Sequence, residues 1–102
     1  MTQAPASDTG ADGKRVTRQI TVINTLGVHA RPAAAFVRIA NKFASHFTVE
    51  KDGEKINGKS IMGLMMLAAG QNSVLTLTAE GRDAEEAVRE LEELFRRKFD
   101  ED

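Results

Sequence analysis

His29 lies in the run Leu26-Gly27-Val28-His29-Ala30-Arg31-Pro32, between a glycine and a proline able to start a helix. An imidazole has a nucleophilic nitrogen near neutral pH and can accept a phosphoryl group. A helix start beside it offers unpaired backbone N–H groups, those of Ala30 and Arg31, and the positive end of the helix dipole, both of which favour an anion. Arg31 adds a planar five-donor guanidinium suited to phosphate oxygens. Pro32 has no N–H to give, but its fixed φ sets the first turn. Taken singly, these residues have plainer explanations: a surface imidazole, a solvated cation, a helix starter. Their conjunction at one helix start points to phosphoryl chemistry.

The second histidine, His46, stands between Ser45 and Phe47 just before a strand pattern and reads as surface polar. A metal site shared by His29 and His46 lacks evident further ligands, so neither a metal nor another cofactor is expected. A hydrolase using His29 as general base lacks a nucleophile or carboxylate partner close in sequence. Ser60 precedes Ile61-Met62-Gly63-Leu64-Met65, where it suits the N-cap of a short helix. A phosphate on that hydroxyl would sit well at a helix N-terminus and would place charge beside Ile61, Met62 and Met65. Methionine stripes are more often core than surface, though methionine also serves surfaces that meet several partners.

The elements that position these residues follow from periodicity. The first fourteen residues are small and polar, and are expected to form a disordered tail ahead of one domain over 15–102. Val16, Ile20 and Val22 share a face in a strand from Arg15 to Ile23. Ala33, Phe36, Val37, Ala40, Phe43 and Ala44 recur at helical steps, predicting a helix from near His29 to near Phe43. Phe47 and Val49 alternate with polar residues, and Asp52-Gly53 turns the chain back through Lys55-Ile56-Asn57. Leu75 and Leu77 alternate in a last strand from Val74 to Ala79. Asp83 with Glu86 predicts a capping box for a final helix with the stripe Ala84, Ala87, Val88, Leu91, Leu94 and Phe95. Glu92 with Arg96, and Glu93 with Arg97, are expected i,i+4 pairs. An order β-α-β-β-α-β-α with a central hairpin predicts an α+β two-layer sandwich.

At 102 residues and 41% hydrophobic, the chain suits one compact domain. A net charge of −1, with five Phe as the aromatic complement, gives no footing for nucleic acid. The lack of cysteine leaves the fold to packing alone and fits the cytoplasm. No apolar run reaches the roughly 20 residues needed to cross a bilayer, and Met1–Lys14 lacks a signal-peptide centre, so a soluble, unexported protein is expected.

Gly27-Val28-His29-Ala30-Arg31-Pro32-Ala33 resembles the active-site signature of HPr, the histidine phosphocarrier family of the bacterial phosphoenolpyruvate-dependent phosphotransferase system. Lys59-Ser60-Ile61-Met62-Gly63-Leu64-Met65 resembles that family's segment around a regulatory serine. The likeness spans about Arg15 to Arg97. It implies an open-faced β-sandwich, a four-stranded antiparallel sheet covered on one face by three helices. It also implies a carrier and not a turnover enzyme. His29 would take a phosphoryl group on Nδ1 from phosphorylated enzyme I and pass it to enzyme IIA domains, attended by Arg31 and the N–H of Ala30. Ser60 would be the target of an HPr kinase/phosphorylase, and Ile61, Met62 and Met65 part of the docking surface of a monomer. Leu64-Met65-Met66-Leu67 is similar to the nitrogen-regulatory NPr branch. The alternative is therefore a regulatory module that docks to another protein, such as a transcription factor, according to its phosphorylation.

Overall fold

The computed structural model describes residues 14–101, so the expected tail lies, apart from Lys14, outside the described residues. The elements are β1 (Arg15–Thr21), α1 (Ala30–Ala40), β2 (His46–Lys51), β3 (Glu54–Asn57), α2 (Ile61–Met66), β4 (Val74–Glu80) and α3 (Ala84–Arg96), followed by a single 3-10 turn over Lys98–Asp100. The four strands form one antiparallel sheet in the order β1-β4-β2-β3. The three helices cover one of its faces, which makes the molecule the α+β two-layer sandwich that the element order predicts, in the open-faced form that the resemblance implies.

Alternation explains which face is covered. Val16 and Ile20 in β1, Phe47 and Val49 in β2, and Leu75, Leu77 and Ala79 in β4 are all buried, and they meet Ala33, Phe36, Val37 and Ala40 of α1 and Ala87, Val88, Leu91 and Phe95 of α3. The intervening Thr17, Thr48, Thr76 and Thr78 line the opposite face, where the hydroxyls of Thr17 and Thr78 lie 3.4 Å apart. The β2–β3 turn has positive φ at Asp52 (52°) and Gly53 (87°), matching the right-handed twist of the strands it joins.

Three local expectations are corrected. The first helix ends at Ala40; Phe43 still packs on the core, but Ala44 is exposed. Asp83 forms no capping bond to α3 and no box with Glu86. Its carboxylate instead accepts from Ala44 N at 2.8 Å, Ser45 N at 3.1 Å and Ser45 Oγ at 2.5 Å. The two corrections have one cause, because these donors belong to the α1–β2 loop and a carboxylate that collects three of them holds that loop out of the helix. The expected pairs along α3 also give way to others. Glu92 reaches Arg18 on β1 at 3.9 Å, Arg96 pairs with Glu93, and Arg97 pairs with Asp100 at 3.0 Å.

Asp83 yields a pH-dependent prediction. Burial pushes its carboxyl up, but the hydrogen bonds from Ser45 Oγ, from the N–H groups of Ala44 and Ser45 and from its own N–H outweigh that and hold it below its ordinary 3.8. A lowered folded value means stability that is present above the unfolded pKa and lost as pH falls through the folded one. Asp83→Ala is expected to cost on the order of 2 kcal/mol at neutral pH. It should also flatten the acid limb of a stability–pH curve from urea melts below about pH 4, and an unchanged limb would contradict the assignment.

Candidate functional site

The chain between β1 and α1 is held by backbone pairing before it presents any side chain. Val22 N donates to Ser73 O at 2.8 Å and Asn72 N to Val22 O at 2.7 Å, which extends β1 in effect by one residue. Val28 N then donates to Ala69 O at 2.8 Å, tying the loop to the segment after α2. Gly27 has φ +73°, and a Cβ on it would stand 2.5 Å from Ala69 O, so glycine is required there both by conformation and by space. Inside the loop, fully buried Asn24 donates from Nδ2 to Gly27 O at 2.8 Å.

His29 emerges as the N-cap of α1, with extended backbone and no side-chain capping bond. Its carbonyl accepts the first intrahelical bond, from Ala33 N at 2.9 Å. The N–H groups of Ala30 and Arg31 precede that bond and Pro32 has none, so two donors face outward at the positive end of an 11-residue helix. Arg31 is exposed and makes no ion pair with a described residue, while Pro32 is buried.

The imidazole has one partner that no sequence pattern indicated. Nε2 lies 3.1 Å from both carboxylate oxygens of Glu101, which follows the 3-10 turn beyond α3. The Glu101 side chain is 13% exposed and that of His29 is 41% exposed. Nδ1 has no hydrogen bond among the described residues, so the ring is held through Nε2 and offers Nδ1. The Asp100-Glu101-Asp102 run just past α3 was the available signal, and without the fold it pointed nowhere.

Ser60 caps α2, its Oγ accepting from Gly63 N at 2.9 Å, and is half-buried. Gly63, Leu64 and Leu67 turn inward, while Ile61, Met62, Met65 and Met66 are exposed, so the methionine stripe is surface and not core. Leu26 is 73% exposed on the histidine loop, a surface position that no sequence pattern indicated. His46 opens β2 opposite Glu80 and is exposed. An open groove of about 460 Å³ between β1 and α3 is lined by Ile20, Ile23, Arg89, Phe95 and neighbours, and excludes His29. The histidine therefore stands on a surface, reachable by another macromolecule, and not at the base of a pocket. Among the described residues, no group of three His, Cys, Asp or Glu is placed to hold a metal, and no helix is long and apolar enough to cross a membrane.

Residues 16–97 match the family model described as PTS HPr component phosphorylation site. The HPr-like protein Crh of Halalkalibacterium halodurans is 53% identical over 74% of this chain and 90% of its own. The phosphocarrier protein HPr of Treponema pallidum is 45% identical over 85% of this chain and 99% of its own. Among solved structures, HPr-C-His from Thermoanaerobacter tengcongensis is 52% identical and superposes with a TM-score of 0.79, covering 87% of this chain and 98% of its own. An HPr dimer from the same organism, also 52% identical, gives a TM-score of 0.67 over 78% of this chain and 92% of its own.

Proposed function

Because the chain belongs to the HPr family of phosphocarriers, we propose that it takes a phosphoryl group on His29 Nδ1 from phosphorylated enzyme I and hands it to enzyme IIA domains. The observation that carries this reading is the division of labour on one ring: Nε2 is held by Glu101 at 3.1 Å while Nδ1 is left open at the start of α1. The two free N–H groups and the Arg31 guanidinium are donors for the phosphoryl oxygens. They steady the charge on a group that must still leave for its next acceptor, which favours exposed donors over a buried cage. Exposed Leu26, Ile61, Met62 and Met65 supply an apolar surface for partners that bind briefly, as a relay requires.

Ser60 is proposed as a regulatory phosphorylation site for a kinase using ATP. Phosphate there would exchange a neutral cap for a charged one and set negative charge beside Ile61 and Met62 without unfolding α2. A second reading, a regulatory docking module, draws on the relatives named HPr-like protein Crh. One experiment separates the two. Incubation with phosphoenolpyruvate and enzyme I is expected to give an acid-labile, base-stable phosphoryl adduct. Incubation with ATP and the kinase should give an acid-stable adduct that is absent from Ser60→Ala. A protein labelled only by the second route is a regulator and not a carrier.

A further inference from the structure

Packing alone does not account for two costs, one in the C-terminal turn and one in the loop between β1 and α1. Lys98, Phe99 and Asp100 have φ of 56°, 56° and 60°, three successive non-glycine residues in the left-handed region. Each such residue costs about 1–2 kcal/mol, and strain of this kind collects at functional sites. Phe99 anchors the turn by burying its ring 4.8 Å from that of Phe95, and Arg97 closes it with a 3.0 Å bond to Asp100. The result of the turn is that the next residue, Glu101, comes back to a histidine 72 positions earlier.

The second cost is at Asn24. It is fully buried, and its Oδ1 has no partner among the described residues. Its Nδ2 donates both to Gly27 O at 2.8 Å and to Glu101 Oε1 at 3.4 Å. Both partners are acceptors only, so the amide must face them with its nitrogen, and no side chain of that size other than an amide supplies two donors from one atom. A buried carbonyl oxygen without a donor costs about 1–3 kcal/mol. The molecule bears that cost at the residue that bridges the histidine loop to Glu101.

We propose that Glu101, aimed by Asn24 and by the left-handed turn, is the positioning residue of the phosphoryl acceptor; this rests on the phosphocarrier reading above. With its carboxylate on Nε2, the ring carries its proton there and the lone pair on Nδ1. In the transfer, that pair forms the Nδ1–P bond as the bond from phosphorus to the donor's leaving atom breaks and its electrons depart with the donor. The ring becomes cationic, the Nε2 proton stays in place, and Glu101 faces the charge as it develops. In the onward step the P–N bond breaks, its electrons return to Nδ1 and the ring is neutral again. A carboxylate oriented on the far nitrogen thus favours attack by facing the developing charge, and by keeping the proton on Nε2 it lets a neutral imidazole leave in the onward step.

The test uses the full chain and two phosphoryl sources, phosphoramidate and phosphoenolpyruvate with enzyme I, beside ¹⁵N spectra of the His29 ring in the unphosphorylated protein. Glu101→Ala is expected to mix the ring tautomers and slow phosphorylation from both sources on the order of tenfold. Glu101→Gln keeps an acceptor and should retain the Nε2–H tautomer while losing most of the rate, which separates orientation from charge. Glu92→Gln removes a half-exposed α3 carboxylate that faces Arg18 and not His29, and should leave both readouts at the wild-type level. If Glu101→Ala matches wild type in tautomer and rate, or Glu92→Gln slows transfer as much as Glu101→Ala does, the assignment to Glu101 is overturned. If wild-type protein takes phosphate from neither source, the carrier reading fails instead, and the two failures are distinguishable.

Discussion

His29→Ala is expected to abolish the acid-labile phosphoryl adduct completely while leaving the protein folded. The chemical loss is total because in the proposed transfer the Nδ1 lone pair is the nucleophile, and alanine supplies none. The structural loss is small for reasons visible at the site. His29 caps α1 through its backbone, without a side-chain bond to the helix, and its side chain is 41% exposed. The contact with Glu101 involves a His29 side chain that is 41% exposed and screened by solvent, and it contributes about 1 kcal/mol. For a domain of this size that is a shift of no more than about 4–8 °C in Tm. Label from phosphoenolpyruvate and enzyme I that persists on a folded His29→Ala protein would move the acceptor elsewhere, with exposed His46 the first residue to test.

Phe36→Ala carries the largest expected loss of stability, about 3–5 kcal/mol out of a total of 5–15 typical of a domain. Phe36 is 2% exposed on the buried stripe of α1, and its ring meets that of Phe95 edge-on, centroids 6.0 Å apart at 86°. Phe95 in turn meets Phe99, so one aromatic chain joins α1, α3 and the C-terminal turn. Truncation at its first ring leaves a cavity that two helices cannot both close. Urea melts should show a lower midpoint with an unchanged slope. A loss below about 1 kcal/mol would mean that α1 does not pack as described. The same variant should weaken the Glu101 contact, since the turn that aims Glu101 hangs from Phe99, and the His29 ring spectrum reports that independently of the melt.

What could be read from the sequence was whatever depends on near neighbours along the chain. The alternation of Val16, Ile20 and Val22 and of Leu75 and Leu77, the Asp52-Gly53 turn and the stripe from Ala84 to Phe95 each follow from a backbone period that a few residues reveal. His29 at a helix start and Ser60 before a short helix are equally local, as is the resemblance they carry. The failures were of another kind. Asp83 looked like a cap because Glu86 lies three residues on, yet its partners are 38 and 39 residues away in Ser45 and Ala44. Glu92 looked paired with Arg96 and instead reaches back to Arg18 on β1.

Charged and polar side chains take the best partner within reach, and only the fold decides what is within reach. A periodic pattern fixes which face of an element is apolar, because burial rewards any match of that face to any other. A hydrogen bond rewards one donor on one acceptor, often from opposite ends of the chain. Hence the sequence by itself determined the open-faced sandwich and the histidine at its surface. That His29 is held through Nε2 by Glu101, with Asn24 behind it, was decided by tertiary structure alone: a strained turn and a buried amide had to bring residues 24, 29 and 101 to one place.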